Sequence, residues 1–482
     1  MENYLFGFCP KMTDYLFGFY PIDCISAMYR ERRIDTALLE WAKQSSHKPL
    51  LLRGARQVGK STAVRHLGEQ FESFVEINFD KQKSFHALFD GDLDARIIAA
   101  QIANLTGKIV QPGKTLLFFD EIQACPNAIL SLRFFNEDYP ELHVIAAGSL
   151  LEFALAELPT FGVGRLESLF MFPMCFDEFL KATGNAGLIT ERKAASPTQP
   201  LHEAFHKKLV QQFRNFIMVG GLPEVVCKWD ETGDYLQCQL LQDQLVISYE
   251  DDFAKYKKKV NPELLRRVLR SAATQITNKF VYSQASSEKT EKVREALNLL
   301  TMAGLLVPVT RTDANGLPLG SEADNSYQKI LVFDSGILLR LLNMSLGSIQ
   351  QITEEILTAS ETDLVNKGKI SEMIAGLEML KHMPNTMRHE MYYWVRLEKN
   401  SQAEVDYLEP FNGHILPIEI KAETQGGMKS LWHFMRAKEL DYALRCSLEN
   451  FGHFDYIDKE ASNATRHVDI YPLYSIAQMP IF

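Results

Sequence analysis

An α/β fold follows from three observations in the 482-residue sequence. Short apolar runs recur at positions 50, 74, 116 and 143, separated by stretches with helical periodicity. The first run leads into a glycine-bearing loop and the third ends in two carboxylates, as strands of an open parallel sheet do where ligands bind. A second group of strand signals lies within residues 345–482, beyond a mainly helical middle. The expected order is a tail over 1–28, an α/β domain over 29–200, a helical region over 201–344 and a second α/β domain over 345–482.

Composition narrows the class. Hydrophobic residues make up 46% and charged residues 23%, ordinary for a globular protein with a large core. The seven cysteines are scattered without C-x-x-C spacing, which suggests neither a zinc site nor a disulfide framework and makes a reducing, cytoplasmic setting the default. A net charge of −10 argues against a chain that coats nucleic acid along its whole surface, although a local basic face is compatible with it.

In chain order, the tail repeats Tyr4-Leu5-Phe6-Gly7-Phe8 as Tyr15-Leu16-Phe17-Gly18-Phe19. These runs are too short to span a bilayer and lack a basic leader, so no membrane is expected as a partner. The tail reads as poorly ordered or as an upstream start, and otherwise as a membrane- or partner-binding tag. Arg32-Arg33-Ile34-Asp35 opens an amphipathic helix through Leu38, Leu39 and Trp41.

Next comes Leu50-Leu51-Leu52-Arg53, a buried strand, followed by Gly54-Ala55-Arg56-Gln57-Val58-Gly59-Lys60-Ser61-Thr62. This is the G-x-x-x-x-G-K-[ST] spacing of a phosphate-binding loop. Glycines let successive N–H groups point inward at phosphate oxygens, and the following helix adds its positive end. Lys60 is expected on the β/γ-phosphates of ATP and Ser61 on Mg²⁺. The strand Phe74-Val75-Glu76-Ile77-Asn78-Phe79 alternates, and the four apolar residues before Asp120-Glu121 read as a strand buried on both faces. Asp120 is expected to hold Mg²⁺ and Glu121 to activate the attacking water. The fourth strand ends in Gly148-Ser149, and Ser149 reads either as a residue that senses the γ-phosphate or positions water, or as a helix cap.

The order Gly54 to Thr62, Phe119-Asp120-Glu121-Ile122-Gln123, Ala147-Gly148-Ser149, Gly164-Arg165, Phe172-Pro173-Met174-Cys175-Phe176-Asp177-Glu178-Phe179 and Val219-Gly220-Gly221-Leu222-Pro223 resembles the bacterial and archaeal AAA-type ATPases that carry a C-terminal domain of unknown function. The likeness covers most of the chain beyond about residue 30. It implies a nucleotide-dependent switch or oligomer, with self-association as one outcome. It also implies that Arg165 serves either its own nucleotide or a neighbouring subunit; the alternative is a solvent-exposed loop arginine.

A loose linker is expected over 184–200, a helix over 201–216, and a long helix over 236–256 that runs into Glu250-Asp251-Asp252. Helices over 263–270 and 289–302, then a hairpin turning at Asn315-Gly316, outline a winged helix-turn-helix, which the family resemblance also suggests. Lys255, Lys257, Lys258, Lys259, Arg266, Arg267 and Arg270 lie before or within its first helix and either contact DNA phosphates or form a solvated face.

Near the C-terminus, Glu404-Val405-Asp406 and Ile418-Glu419-Ile420-Lys421 lie on strands joined at Asn412-Gly413. Glu419 and Lys421, two apart, project to one face. These residues resemble the PD-(D/E)xK nuclease fold, with Glu372 on the preceding helix as an additional acid. That resemblance implies a metal held by Glu372, Asp406 and Glu419, with Lys421 serving the reaction. The first acid follows valine and not proline, and a scaffold hairpin with a surface Glu–Lys pair is the alternative. The function expected is an ATPase whose nucleotide state controls a nuclease-like domain on DNA, or a non-nucleolytic switch acting on a protein partner.

Overall fold

A computed structural model describes residues 29–157, 164–256, 260–343, 367–397, 403–421 and 427–482. The tail with the aromatic repeat, and Lys257 to Lys259, lie outside the described residues. No helix among the described residues is long and apolar enough to cross a membrane.

The N-terminal sheet has five parallel strands in the order β2-β3-β4-β1-β5, with β1 Leu50–Arg53, β2 Ser73–Asn78, β3 Thr115–Asp120, β4 His143–Ala147 and β5 Glu167–Phe170. Alternation along each strand feeds two cores. Leu50, Leu52, Leu116, Phe118, Ile145 and Ala147 pack with Ile34, Leu38, Trp41, Val64 and Leu67 of the helices Arg33–Lys43 and Lys60–Gly68. Leu51, Leu117, Phe119, Val144 and Ala146 pack on the other face with Ile98, Ile102, Ile129, Leu132 and Phe135. Burial on both faces explains why these strands read as unbroken apolar runs. The fifth strand was not among those expected: Glu167-Ser168-Leu169-Phe170 is short and has only Leu169 fully buried.

The region expected as a loose linker over 184–200 carries the helix Gly187–Lys193. Arg192 fixes it from a fully buried position, donating to both carboxylate oxygens of Asp177 (2.7 and 2.9 Å) and to the Tyr474 carbonyl. Helices Glu203–Val219, Pro223–Thr232 and Tyr235–Asp252 follow. At the glycine pair between the first two, Gly220 has φ +76° and the Gly221 N–H donates to buried Asp334 at 2.7 Å. A Cβ on Gly221 would lie 2.2 Å from the Met174 carbonyl oxygen, so only glycine lets this corner close.

Helices Pro262–Thr274, Tyr282–Ala285 and Thr290–Met302 precede the antiparallel hairpin of β6 Leu306–Thr312 and β7 Ala323–Val332. This hairpin does not project as a free wing. β6 pairs in parallel with β8 Met391–Val395, so it forms one end of an eight-stranded sheet ordered β12-β13-β11-β10-β9-β8-β6-β7. The remaining strands are β9 Glu404–Phe411, β10 His414–Ile420, β11 Tyr442–Ser447, β12 Gly452–Asp458 and β13 Ala464–Pro472. The helix Lys367–His382 packs against β7 and β10. The sheet therefore runs unbroken across the boundary expected between 344 and 345.

Candidate nucleotide site and a second carboxylate cluster

The loop after β1 has the conformation its glycines were expected to permit. Gly54 has φ +145°, and a Cβ there would fall 2.1 Å from the Met171 carbonyl oxygen, while Gly59 at φ +100° turns directly into the helix Lys60–Gly68. Lys60 is buried, and its ammonium donates to the Gly54 and Ala55 carbonyls at 2.8 and 2.7 Å. Ser61 Oγ donates to Asp120 Oδ1 at 2.9 Å, and Asn78 Nδ2 donates to Asp120 Oδ2 at 3.0 Å. The hydroxyl and carboxylate needed for Mg²⁺ thus stand together at the C-terminal end of β3.

Glu121 sits one residue beyond β3 in the left-handed region, with φ 49° and ψ 43°. Its Oε2 accepts from Gln123 Nε2 at 2.6 Å, from the Ser149 amide at 3.2 Å and from Ser149 Oγ at 3.1 Å. A non-glycine residue in this conformation is costly and concentrates at functional positions. Ser149 is joined to the water-activating candidate, as the reading that it positions water would have it.

Arg56 forms an ion pair with Asp252 at the end of the helix Tyr235–Asp252, and the Tyr249 hydroxyl donates to the Arg56 carbonyl at 3.2 Å. Arg32 braces the other side: it donates to the Val58 and Phe172 carbonyls, both at 2.7 Å, and to buried Glu178 at 3.0 Å. Glu178 falls within a stretch of the family resemblance, but nothing in the sequence marks Arg32, Asp252 or Tyr249 as bracing the phosphate loop.

Arg165 corrects the reading that it serves its own chain's nucleotide, while the reading that it serves a neighbouring subunit is untouched. Its guanidinium pairs with Glu137. Arg165 lies two residues before the start of β5, while the phosphate loop leaves the end of β1; because the two strands are parallel, these positions are at opposite edges of the sheet. Arg165 is not brought to the nucleotide site of its own chain.

The residues fit ATP and Mg²⁺. A buried ammonium whose described partners are loop carbonyls, two positions where a Cβ is excluded or strained, and a paired hydroxyl and carboxylate make up the donor set that a magnesium triphosphate requires. A family model described as "AAA domain" matches residues 46–180. Residues 46–180 are an AAA domain that carries the phosphate loop. Two further models match the rest: "Domain of unknown function (DUF8612)" over residues 210–347 and "Domain of unknown function (DUF4143)" over residues 367–461.

Among solved structures, the Walker-type ATPase paby2304 of Pyrococcus abyssi is similar at 14% identity, with 65% of this chain and 96% of that chain covered and a TM-score of 0.41. The Aeropyrum pernix ORC1 protein in complex with DNA matches at 10% identity, 71% and 95% coverage and a TM-score of 0.25. Cdc6p from Pyrobaculum aerophilum matches at 15%, 70% and 98%, with a TM-score of 0.26. No curated protein matches the chain. Similarity at these scores is weak, and the family match together with the loop geometry identifies the ATPase domain.

Burial pushes the Lys60 ammonium down to about 8, with Glu121 and Asp120 opposing. Phosphate oxygens favour the charged form, so ATP binding takes up a proton above that pH. Affinity is expected to be level below pH 8 and to fall by up to about tenfold per pH unit above it. Titrations of the whole chain with ATP across this range measure the slope, and constant affinity from roughly pH 7 to 9.5 would contradict the burial of Lys60.

The second constellation assembles only in part: among the described residues Glu419 is not in the carboxylate group, which Glu404 joins instead. Carboxylate oxygens of Glu372, Glu404 and Asp406 lie within 4.8 Å of one another, and Lys421 Nζ donates to Glu419 Oε1. Asp406 stands one step beyond the Tyr407–Ile418 pair of the β9–β10 ladder, opposite Glu419. Burial pushes Glu372 and Glu419 above the usual carboxylate range; Lys329 opposes this at Glu372, and the charge of Asp406 adds to it at Glu419. The sequence reading missed Glu404 as a member of this group. It also missed Lys329, whose ammonium is 2.7 Å from Glu372 Oε1, in contact with Glu404 and 4.6 Å from the centre of the Tyr393 ring. A lysine of β7 thus supplies a cation beside Glu372 and Glu404, while burial and the negative charges of Asp406 and Glu404 push the Glu372 carboxyl up.

Three of the seven basic residues near the first middle helix are paired with carboxylates. Arg270 pairs with Glu250, Arg266 with Glu250 and Glu263, and Lys255 with Asp252. Each pair removes a charge that phosphate contacts would need.

Proposed function

We propose that this chain is a Mg²⁺-dependent ATPase switch, in which the nucleotide at the phosphate loop repositions the helix Tyr235–Asp252 and, through it, the C-terminal sheet. The observation that carries this reading is the direct tie between loop and helix, made by the Arg56–Asp252 ion pair and the Tyr249 bond to the Arg56 carbonyl. A triphosphate at the loop competes with Asp252 for Arg56 and with the Gly54 and Ala55 carbonyls for Lys60. Ser61 and Asp120 would hold Mg²⁺, which supplies charge neutralisation of the phosphates. Glu121, held by Ser149, orients a water for attack. Hydrogen exchange of the full chain with and without ATP tests the coupling: amides of the helix Tyr235–Asp252 are expected to change protection. Unchanged exchange there, with ATP bound, would overturn the coupling.

Nuclease action on DNA is the second reading, favoured by the convergence of Glu372, Glu404 and Asp406 beside Glu419 and Lys421. Cleavage of duplex, single-stranded or branched DNA with Mg²⁺ or Mn²⁺, lost in Lys421→Ala, would establish it. The position of Lys329 favours a binding platform instead. On that reading Lys329→Met strands buried carboxylates. The cost is expected to be about 2 kcal/mol, below the 3–5 kcal/mol of a broken buried pair, because a buried glutamate with a raised pKa can relieve the charge by protonation. Thermal or urea unfolding of the full chain checks this, and an unchanged midpoint would remove Lys329 as the counter-ion.

A further inference from the structure

A separate group of side chains joins the ATPase domain to the C-terminal region. Cys175 Sγ, a Glu378 carboxylate oxygen and a ring nitrogen of His382 all lie within 4.8 Å of one another. Cys175 and Glu378 are buried, and the three come from two elements: the start of the helix Phe176–Ala182, and the helix Lys367–His382, where Glu378 and His382 are four apart on one face.

Each donor is already oriented. The Phe176 N–H donates to Glu378 Oε2 at 2.9 Å, and the Lys381 ammonium, 3.1 Å from Oε1 and 3.0 Å from the Met174 carbonyl, holds the other oxygen. Cys175 Sγ accepts from the backbone N–H of Glu178. His382 Nδ1 lies 2.8 Å from the Glu378 carbonyl oxygen, so Nδ1 donates the proton, and Nε2, buried without a hydrogen-bond partner, keeps its lone pair. A main-chain carbonyl fixing one imidazole nitrogen while the other stays free is how metal-binding histidines are set.

A thiol at a helix cap needs a further reason. Serine, threonine, aspartate and asparagine cap far better than cysteine.

We propose that Cys175, Glu378 and His382 form a binding site for a zinc-like divalent transition metal that staples the ATPase domain to the helix Lys367–His382. The mixed S, O and N donors favour zinc or cobalt over magnesium. Three protein ligands leave one position for water. On binding, the Cys175 proton leaves to solvent and the sulfur lone pair forms the metal bond. This site is independent of the nucleotide reading and of the Glu372 cluster.

Cobalt(II) titration of the full chain tests it. One equivalent is expected to produce a thiolate-to-cobalt charge-transfer band in the near ultraviolet, displaced by one equivalent of zinc. Cys175→Ser keeps a capping oxygen and should lose the band, and His382→Gln should weaken binding at least about tenfold. Cys446→Ser, at a buried cysteine elsewhere, should leave the band unchanged. Circular dichroism confirms that each variant is folded; should Cys175→Ser fail to fold, His382→Gln decides. Absence of the band in the native chain, or its persistence in Cys175→Ser or at full strength in His382→Gln, overturns the proposal.

Discussion

Glu121→Gln is expected to leave ATP bound while slowing its hydrolysis by roughly 10²–10⁴, the usual contribution of a positioned general base. Glutamine preserves the volume and one acceptor, so the Ser149 contacts at 3.1 and 3.2 Å can persist and the left-handed backbone at φ 49° keeps its support. What is lost is the negative oxygen that takes a proton from water. Single-turnover hydrolysis alongside equilibrium binding separates the two quantities. Loss of binding together with turnover would make Glu121 a structural residue of the β3 corner, and unchanged turnover would remove it as the base.

Lys60→Ala should weaken ATP binding by roughly 10²–10³, about 3–4 kcal/mol, because charge-assisted hydrogen bonds in a water-poor loop are individually strong and Lys60 makes more than one to the phosphates. The ammonium already bonds two loop carbonyls, at 2.8 and 2.7 Å, so the variant also loosens the unliganded loop. Lys60→Arg distinguishes these effects: it keeps the charge but replaces a compact ammonium with a planar fork that does not fit between Gly54 and Ala55. A calorimetric titration showing native affinity in Lys60→Ala would exclude the loop as the triphosphate site.

The nucleotide site was legible because its parts are local. Gly54, Gly59, Lys60 and Ser61 lie within eight positions, and Asp120 and Glu121 mark the end of a strand whose burial on both faces produces an apolar run. Parallel pairing then brings the two strand ends to one edge without further information. Glu419 and Lys421 were legible for a similar reason, being two apart at the C-terminal end of a strand. Lys329 was not, because its strand precedes Glu372 by 43 residues and meets the cluster only through the order of an eight-stranded sheet. Arg165 was misplaced in part because strand direction, not proximity to a glycine turn, decides which edge a loop occupies.

The unbroken sheet changes what counts as a separable piece of this molecule. A fragment beginning at residue 345 discards β6 and β7, and with them the parallel partner of β8 and the cation beside Glu372 and Glu404. What remains presents a freshly cut row of main-chain donors and acceptors along Met391–Val395, a template for sticking to other copies, above a knot of like charges. Such a fragment would aggregate or swap strands for reasons unrelated to its biology. The natural cut falls before Leu306, which leaves the hairpin with the sheet it completes.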